Sequence, residues 1–475
     1  MELPEELRHT DLSRPHDSIL YSNKVQPVSF SQQQVRFELT KQGIMNSNAI
    51  IEWDYTPNSD ANWVYYPLNI GAMAQVERAV LSTQSGRIIL DNNHFSNREV
   101  VEASFREGAY NRFVGTYLNL SSNSFCYTGP YEPTGAQNRM RMCGSPIDVD
   151  GVPSVLGSAW TPNPLCNIGP KATVKSQVRV SLQELFPFLY EHNLPVGIME
   201  TLYVDIYWKP STAVGDVNCV SPGTGGGAFV SGGTINQNSC YLLQDNIVYT
   251  NPMVMDSIRQ SQAANGGLNF DYADYHTQVV AVPNGGVVAT QAFERELGCS
   301  RYLVNSIKNM ELTGVAGTAN DIFGKYYSNG LNQRHLQIVA NEALLFPDNN
   351  ASQTENYARL EEVYSHTTPY VPRPVFAADT TAANSPFPTS ANQTFLDYDL
   401  RNTIAGQLNT LGIDMKDAGG SGFRVGNTPL RLYYNKSPTI TGETFEPGQL
   451  SYYFIEYERS FMIASSGKVI VSDFI

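Results

Sequence analysis

The chain has 475 residues, a formal net charge of −14, and only 16% charged residues against 41% hydrophobic ones. That length calls for two or more cores, and 31 basic against 45 acidic residues exclude a broad phosphate-binding surface, since nucleic-acid binders carry clustered positive charge. Its 27 Tyr, 21 Phe, 37 Gly and 27 Pro point to a β-rich protein with many turns and with polar, aromatic surfaces suited to protein–protein contact.

Residues 1–24 are a polar lead-in. Glu2, Glu5, Glu6, Asp11 and Asp17 outweigh Arg8 and Arg14 there, so this end is not a basic arm for packing a genome. The start, Met1 to Glu6, has neither the basic nor the apolar segment of a signal peptide, and no run of about 18 apolar residues exists, so no transmembrane helix is expected. Strand pattern begins at Gln34: Val35, Phe37 and Leu39 alternate with Arg36, Glu38 and Thr40. A second strand covers Ala49–Tyr55. Val76–Leu81, a Ser85-Gly86 turn and Arg87–Leu90 make a hairpin. Ser96-Asn-Arg-Glu99 fits a capping box, which predicts a short helix carrying Val100, Val101, Ala103 and Phe105. Residues 120–170 have loop composition. Residues 176–209 then predict strand, helical turn, a corner marked by Asn193 and Pro195, and a long aromatic strand ending at Trp208. Residues 211–240, with Pro222 to Gly227 and Ser231 to Thr234, form a composition break that predicts a linker or surface loop.

The second half restarts the pattern. Strands are expected over 269–282, 301–312, 336–341, 450–457, 461–463 and 468–472, and Ser352-Gln-Thr-Glu355 opens a helix reaching about Tyr364. Residues 366–395 are again loop material. Asp91–Glu99 faintly echoes Asp348–Glu355, each copy following a strand and opening a helix. The repeated order argues for two copies of one β-sandwich.

Nothing in the chain carries a catalytic signature. The phosphate-loop pattern is absent: Gly467-Lys468 sits in a turn and the glycines at 223–227 open no helix. The histidines, at 9, 16, 94, 192, 276, 335 and 366, show no metal-ligand spacing. Asp148-Val-Asp150-Gly151 lacks the rest of a calcium loop. Asp271 and Asp274, three apart on a strand, face opposite sides and do not converge. His192 reads as a surface corner, the aromatic strand Tyr203–Trp208 as core and packing between the sandwiches, and the cysteines at 126, 143, 166, 219, 240 and 299 as free thiols. No catalytic, cofactor-binding or metal-binding residue is expected, and the chain is not expected to be an enzyme.

The stretch Val178–Leu189, then Leu194-Pro195, then a strand ending near Trp208, resembles the end of the first jelly roll in double jelly-roll major capsid proteins. Those proteins belong to nucleocytoplasmic large DNA viruses, virophages and Polinton-like viruses, and more remotely to tectiviruses and adenoviruses. Gly71–Leu81 with Gly86-Arg-Ile-Ile89 resembles their mid-roll hairpin, and Ser300–Ile307, Leu336–Val339 and Leu345–Pro347 resemble the virophage and Polinton-like second roll. The resemblance covers most of residues 25–475 and lies in order and spacing, not in one diagnostic motif.

The resemblance implies an all-β fold of two tandem eight-stranded antiparallel jelly rolls, a double jelly roll with short helices and long loops. It divides the chain into an arm (1–24), jelly roll 1 (25–215), a linker or loop (216–245) and jelly roll 2 (246–475). It implies a structural protein whose pseudo-hexagonal homotrimers tile an icosahedral virion shell. Partners would be neighbouring capsomers and minor capsid and penton proteins, with no direct nucleic-acid contact. The arm would face minor proteins or an internal membrane. Loops at about 120–170, 211–240 and 366–395 would be tower or inter-subunit candidates. The protein would reside in the virion after synthesis in host cytoplasm or nucleus. The rival readings are a two-sandwich carbohydrate-binding or carbohydrate-active protein, suggested by the aromatic and Asn content, and a bicupin enzyme, which needs histidine sets that the spacing does not supply.

Overall fold

The computed structural model describes residues 18–57, 73, 75–99, 176–209, 220–221, 230–231, 233–281, 292–296, 303–312, 334–340, 343–344, 359, 362–363, 411–416, 422–424, 431–436 and 450–473. In chain order the first strands are β1 (Ser18–Val25), β2 (Ser29–Phe30), β3 (Gln34–Glu38), β4 (Ile44–Met45), β5 (Ile50–Pro57), β6 (Val76–Thr83), β7 (Ile88–Asn93), β8 (Ser176–Ser181) and β9 (Leu202–Trp208). They continue with β10 (Val220–Ser221), β11 (Val230–Ser231), β12 (Gly233–Ile235) and β13 (Tyr241–Tyr249). The second half contains β14 (Gly267–Ala281), β15 (Ala292–Glu296), β16 (Leu303–Leu312), β17 (Arg334–Ala340), β18 (Ala343–Leu344), β19 (Leu411–Asp414), β20 (Phe423–Arg424), β21 (Arg431–Lys436), β22 (Leu450–Ala464) and β23 (Val469–Asp473).

These strands make five antiparallel sheets, one of them the two-stranded β10-β11. In the first half one sheet runs β1-β13-β5-β12, with β4 on β13 and β8 on β5, and another runs β2-β3-β9-β6-β7. In the second half the sheets run β14-β22-β16-β19, with β20 and β23 alongside, and β15-β21-β17-β18. Alternation dictates the first core. Val35 and Phe37 of β3, Ala79 and Leu81 of β6, and Val204 and Ile206 of β9 are all at most 1% exposed. Trp208 lies against Trp53 of the opposite sheet, ring centroids 4.8 Å apart, and the Trp53 indole N–H donates to Gln75 at 2.8 Å.

Tyr203 and Tyr207 point away from that core, with the Arg36 and Arg78 guanidinium groups over their rings. Arg36 also forks onto Asp205 at 2.7 and 2.9 Å. The expectation that the Tyr203–Trp208 strand packs between the sandwiches is therefore corrected. Period 2 sends its aromatics to opposite faces, one into the first core and one into a charged outer ladder.

The corner after β8 is built as its sequence predicts. Ser181 caps α1 (Leu182–Leu185) by accepting from the Gln183 N–H at 3.2 Å. Pro187 then starts a short 3-10 turn, Pro187–Tyr190, because proline supplies no N–H to continue the first helix. The β6–β7 hairpin closes through Thr83 N–H to the Arg87 carbonyl at 2.9 Å.

Four features differ from the sequence reading. Residues 18–25, of which 18–24 fall in the expected lead-in, form β1, which pairs along its whole length with β13 from Ser18↔Tyr249 to Val25↔Leu242. Second, residues 241–245, placed in the expected linker, belong to β13. Third, a 13-residue helix, α2 (Pro252–Ala264), carries the chain from the first-half sheets to those of the second half. It has the ordinary start signals, with Asn251 accepting from the Met253 N–H at 3.0 Å and Pro252 in the first turn. It buries only Ile258 and Gln262, so it lacks the apolar stripe that marks a helix in sequence. Fourth, the helical turn near Ser96 begins at Phe95, two residues before the start that a Ser96 cap implies, with the His94 carbonyl accepting from Asn97 and Arg98. Ser96 is thus inside the turn and not its cap. The helix expected from Ser352 is described only at 359 and 362–363.

Gly43 shows why one turn requires glycine. It has φ +60, and a Cβ there would sit 2.2 Å from the Ile247 carbonyl oxygen of β13.

Candidate functional site at the seam between the halves

The residues with the most unusual surroundings lie where the first half meets the second. Strand β7 ends one first-half sheet and β14 ends one second-half sheet. An edge strand leaves backbone groups unpaired, and here side chains across the seam satisfy them. The Tyr272 hydroxyl donates to the Ile89 carbonyl. Arg459 donates to the same oxygen at 3.4 Å, and Thr277 donates to the Asn93 carbonyl at 3.4 Å.

Apolar packing continues the seam. Phe270 and Phe461 are register partners on β14 and β22, stacked 4.8 Å apart with planes at 7°. Phe188, from the 3-10 turn, meets Phe461 edge-on at 6.0 Å and Tyr272 at 5.6 Å. The His192 ring stands edge-on to Phe270 at 5.6 Å. One continuous apolar cluster thus runs from the first core through Phe186, Phe188 and Leu189 into Leu268, Phe270, Phe461 and Ile463.

Beside the aromatics sits a buried ion pair. Arg459 Nη1 donates to Asp274 Oδ2 at 2.6 Å, and Asp274 also accepts from the Tyr457 hydroxyl at 3.1 Å and the Tyr275 N–H at 2.7 Å. Asp274 is 2% exposed, so burial pushes its carboxyl above the ordinary value despite the pull of Arg459 and the other donors. Burial works against the charge of Arg459 as well, yet Tyr272 and Asp274 hold its guanidinium above its ordinary value. A sealed carboxylate with three donors is anchored, not poised to accept a substrate proton.

A second polar cluster flanks the same edge. His94, at φ +52, contacts Glu77 through Nδ1 at 2.8 Å and sets its ring edge against Tyr452 at 5.3 Å. Lys209 lies 3.6 Å from Glu77 and donates to Asn97 at 3.3 Å. Burial works against the charge of Glu77, but His94 and Lys209 outweigh it and hold the carboxyl below the ordinary range. The Arg98 guanidinium lies 3.8 Å above the Tyr275 ring. Lys308 is 3.5 Å from Glu456, which also accepts from Tyr275 at 3.2 Å. Opposite charges thus line the sealed seam together, the arrangement that makes buried charge tolerable.

Asp271 is exposed and accepts from Asn269 at 3.0 Å, whereas Asp274 is buried at the seam, so the strand keeps the two carboxylates apart. His192 sits at the corner, but its side chain is only 16% exposed and packs edge-on against Phe270 of the second half, so the surface position expected for it is corrected. Gly467 occupies a turn at φ +80. Asp148 and Asp150 lie outside the described residues, as do most of the expected tower loops, although β10, β11 and β12 fall within 211–240. Among the described residues no group of three or more His, Cys, Asp or Glu converges as a metal site would, and no helix is long and apolar enough to cross a membrane. Sequence reasoning missed the seam set of Asp274, Arg459, Tyr272, Glu77, Arg98 and Lys308, because nothing in their spacing distinguishes them from surface polar residues.

Cys240 is a fully buried free thiol, and burial pushes its pKa up to about 12. The thiolate is the reactive form, so iodoacetamide at pH 8 should leave Cys240 unmodified in the native protein and alkylate it after urea unfolding. Peptide mass mapping reads the difference.

No family model and no curated relative matches this sequence. Solved structures do match. VP54 of PBCV-1, fitted into a cryo-EM reconstruction of the virophage Sputnik, is similar with a TM-score of 0.56 at 12% identity, over 98% of each chain. The mavirus major capsid protein is similar with a TM-score of 0.53 at 11% identity, over 100% of this chain and 92% of that one. The 3.5 Å structure of the Sputnik virophage contains a chain similar at a TM-score of 0.52 and 12% identity, again over 100% and 92%. The chain therefore has the double jelly-roll fold of these capsid proteins, mostly antiparallel β-strands with few short helices.

Proposed function

We propose that this chain is a structural, non-enzymatic major capsid protein whose homotrimers form pseudo-hexagonal capsomers of an icosahedral shell. The observation that carries the reading is the full-length likeness in both directions to capsid proteins of virophages and PBCV-1. A shared sandwich alone would match one roll, whereas this match spans two rolls in tandem.

Two features of the chain support it. The seam makes the two rolls one body, as a capsomer of six rolls from three chains requires. Large apolar side chains also remain exposed: Ile19 (45%), Leu20 (57%) and Tyr21 (43%) on edge strand β1, Val28, and Met253 at the start of α2. Such surface suits burial between protein subunits. We place the division between the rolls in α2, after β13, because β13 completes the first sheet. Neighbouring capsomers and minor capsid and penton proteins are the further partners on this reading, and the virion is the location. No comparison supports the carbohydrate-active alternative.

Light scattering coupled to size exclusion of the purified full chain should give three times the 52.5 kDa chain mass, and negative-stain images should show hexagonal outlines. A stable monomer would sink the capsomer reading.

A further inference from the structure

Glu200 lies outside both strand pairs, in the link between the 187–190 turn and β9, and each of its carboxylate oxygens is used by a different part of the molecule. Oε2 accepts from the Ser85 N–H of the β6–β7 turn at 3.0 Å. Oε1 accepts from the Val469 N–H of the β22–β23 turn, in the second half, at 2.7 Å. The backbone repeats the join: the Glu200 N–H donates to the Gly467 carbonyl at 2.7 Å, and the Gln84 N–H donates to the Thr201 carbonyl at 2.8 Å. Gly467 is pressed so closely onto this link that a Cβ would lie 2.9 Å from the Ile198 carbonyl oxygen.

We propose that Glu200 is an acid-sensitive latch: its ionised carboxylate ties the β6–β7 turn of the first roll to the β22–β23 turn of the second, and protonation opens that tie. The reason is the donor count. A carboxylate offers acceptors on both oxygens, but a protonated carboxyl places a hydroxyl donor on one of them. The protonated oxygen loses its charge and becomes a much weaker acceptor for its amide, so the tie to one of the two turns weakens.

Among the described residues the charged groups around the latch are few. Lys468 faces it from the β22–β23 turn. The β6–β7 turn presents Ser85 and its amides, with Arg87 two residues on. Neighbours of Glu200 on its own link, Met199 and Thr201, are uncharged. Burial works against the Glu200 charge, but the Val469 and Ser85 donors and Lys468 hold the carboxyl below the ordinary range. A depressed carboxyl contributes its stabilisation above the unfolded value, about 4.3, and loses it as pH falls through the lower folded value. The latch is therefore closed near neutral pH and opens in acid, below the usual glutamate range.

Glu200→Gln tests this in the full chain, because an amide keeps the shape but carries one acceptor and one donor. Hydrogen exchange read by mass spectrometry, corrected for intrinsic rates, should show about tenfold less protection in one of the two peptides spanning 84–88 and 464–470 at pH 7, the size expected for losing one charge-assisted bond. The peptide spanning 242–249 should be unchanged. Lowering the pH should bring the wild type to the same loss while Glu200→Gln stays level in those two peptides. Gly467→Ala, which pushes the turns apart sterically, should open the same two peptides at every pH. Equal protection of wild type and Glu200→Gln at pH 7, an undiminished acid response in the variant, or a loss spread over the whole chain would each overturn the latch. The readout needs no assembly, so it stands or falls separately from the capsomer reading.

Discussion

Replacing Phe461 with alanine should cost about 3–5 kcal/mol of stability, the range for removing a fully buried phenylalanine from a packed core. Phe461 is 0% exposed and touches Phe270, Phe188 and Tyr272, so its loss opens a cavity at the point where the two rolls share one apolar cluster. The surrounding rings sit on sheets and a proline-bounded turn, which limits how far they can collapse into the gap. Urea unfolding should show the loss as a lower midpoint. Phe461→Leu, which refills most of the volume, should cost far less. If alanine and leucine gave the same small loss, the aromatic contact would not be what joins the rolls.

Arg459→Met should be as damaging near neutral pH and by a different route. It removes the guanidinium that lies 2.6 Å from Asp274 and leaves a buried carboxylate unpaired, a change that typically costs about 3–5 kcal/mol. It also removes one of the two donors to the Ile89 carbonyl. The pH dependence identifies the cause. Burial already pushes the Asp274 carboxyl above its ordinary value, and without Arg459 it is pushed further. A carboxyl raised in the folded state costs stability while ionised and stops costing it once protonated, so the deficit should shrink as pH falls. Chemical denaturation at pH 5 and pH 8 reads this directly. The double variant Asp274→Asn with Arg459→Met should recover part of the loss at pH 8, since neither buried charge remains. A deficit identical at both pH values would assign the effect to lost packing of the arginine stem.

How much of this was legible in the sequence depended on whether local pattern and tertiary environment agreed. They agreed for β3, where Val35 and Phe37 alternate with polar residues and face one core. They agreed again for α1 and the corner after it, where Ser181, Pro187 and Pro195 set the local backbone whatever packs above. They disagreed for β1: its Ser18–Val25 segment is exposed on both faces along most of its length, so no alternation marks it, and only its pairing with β13 makes it a strand. They disagreed for α2, which fully buries only two residues and half-buries Val254 and Met255, and for β22, which the polar stretch Glu458–Ser460 split into two expected strands. In the structure Arg459 lies at the seam beside Asp274, so the polar break is itself an interior contact.

The sequence by itself determined the fold class. Its period-2 strands, turn residues and doubled order argue for two antiparallel sandwiches, because side-chain alternation is local and survives any packing of the rolls. It also established that no familiar catalytic motif is present. Only the tertiary structure decided which polar residues are interior and how the halves are joined. Asp274 and Arg459 are 185 residues apart, and Glu200 and Val469 are 269 apart. The first pair meets across the neighbouring strands β14 and β22 of one sheet, the second where a link of the first half meets the start of β23, and no local pattern carries either.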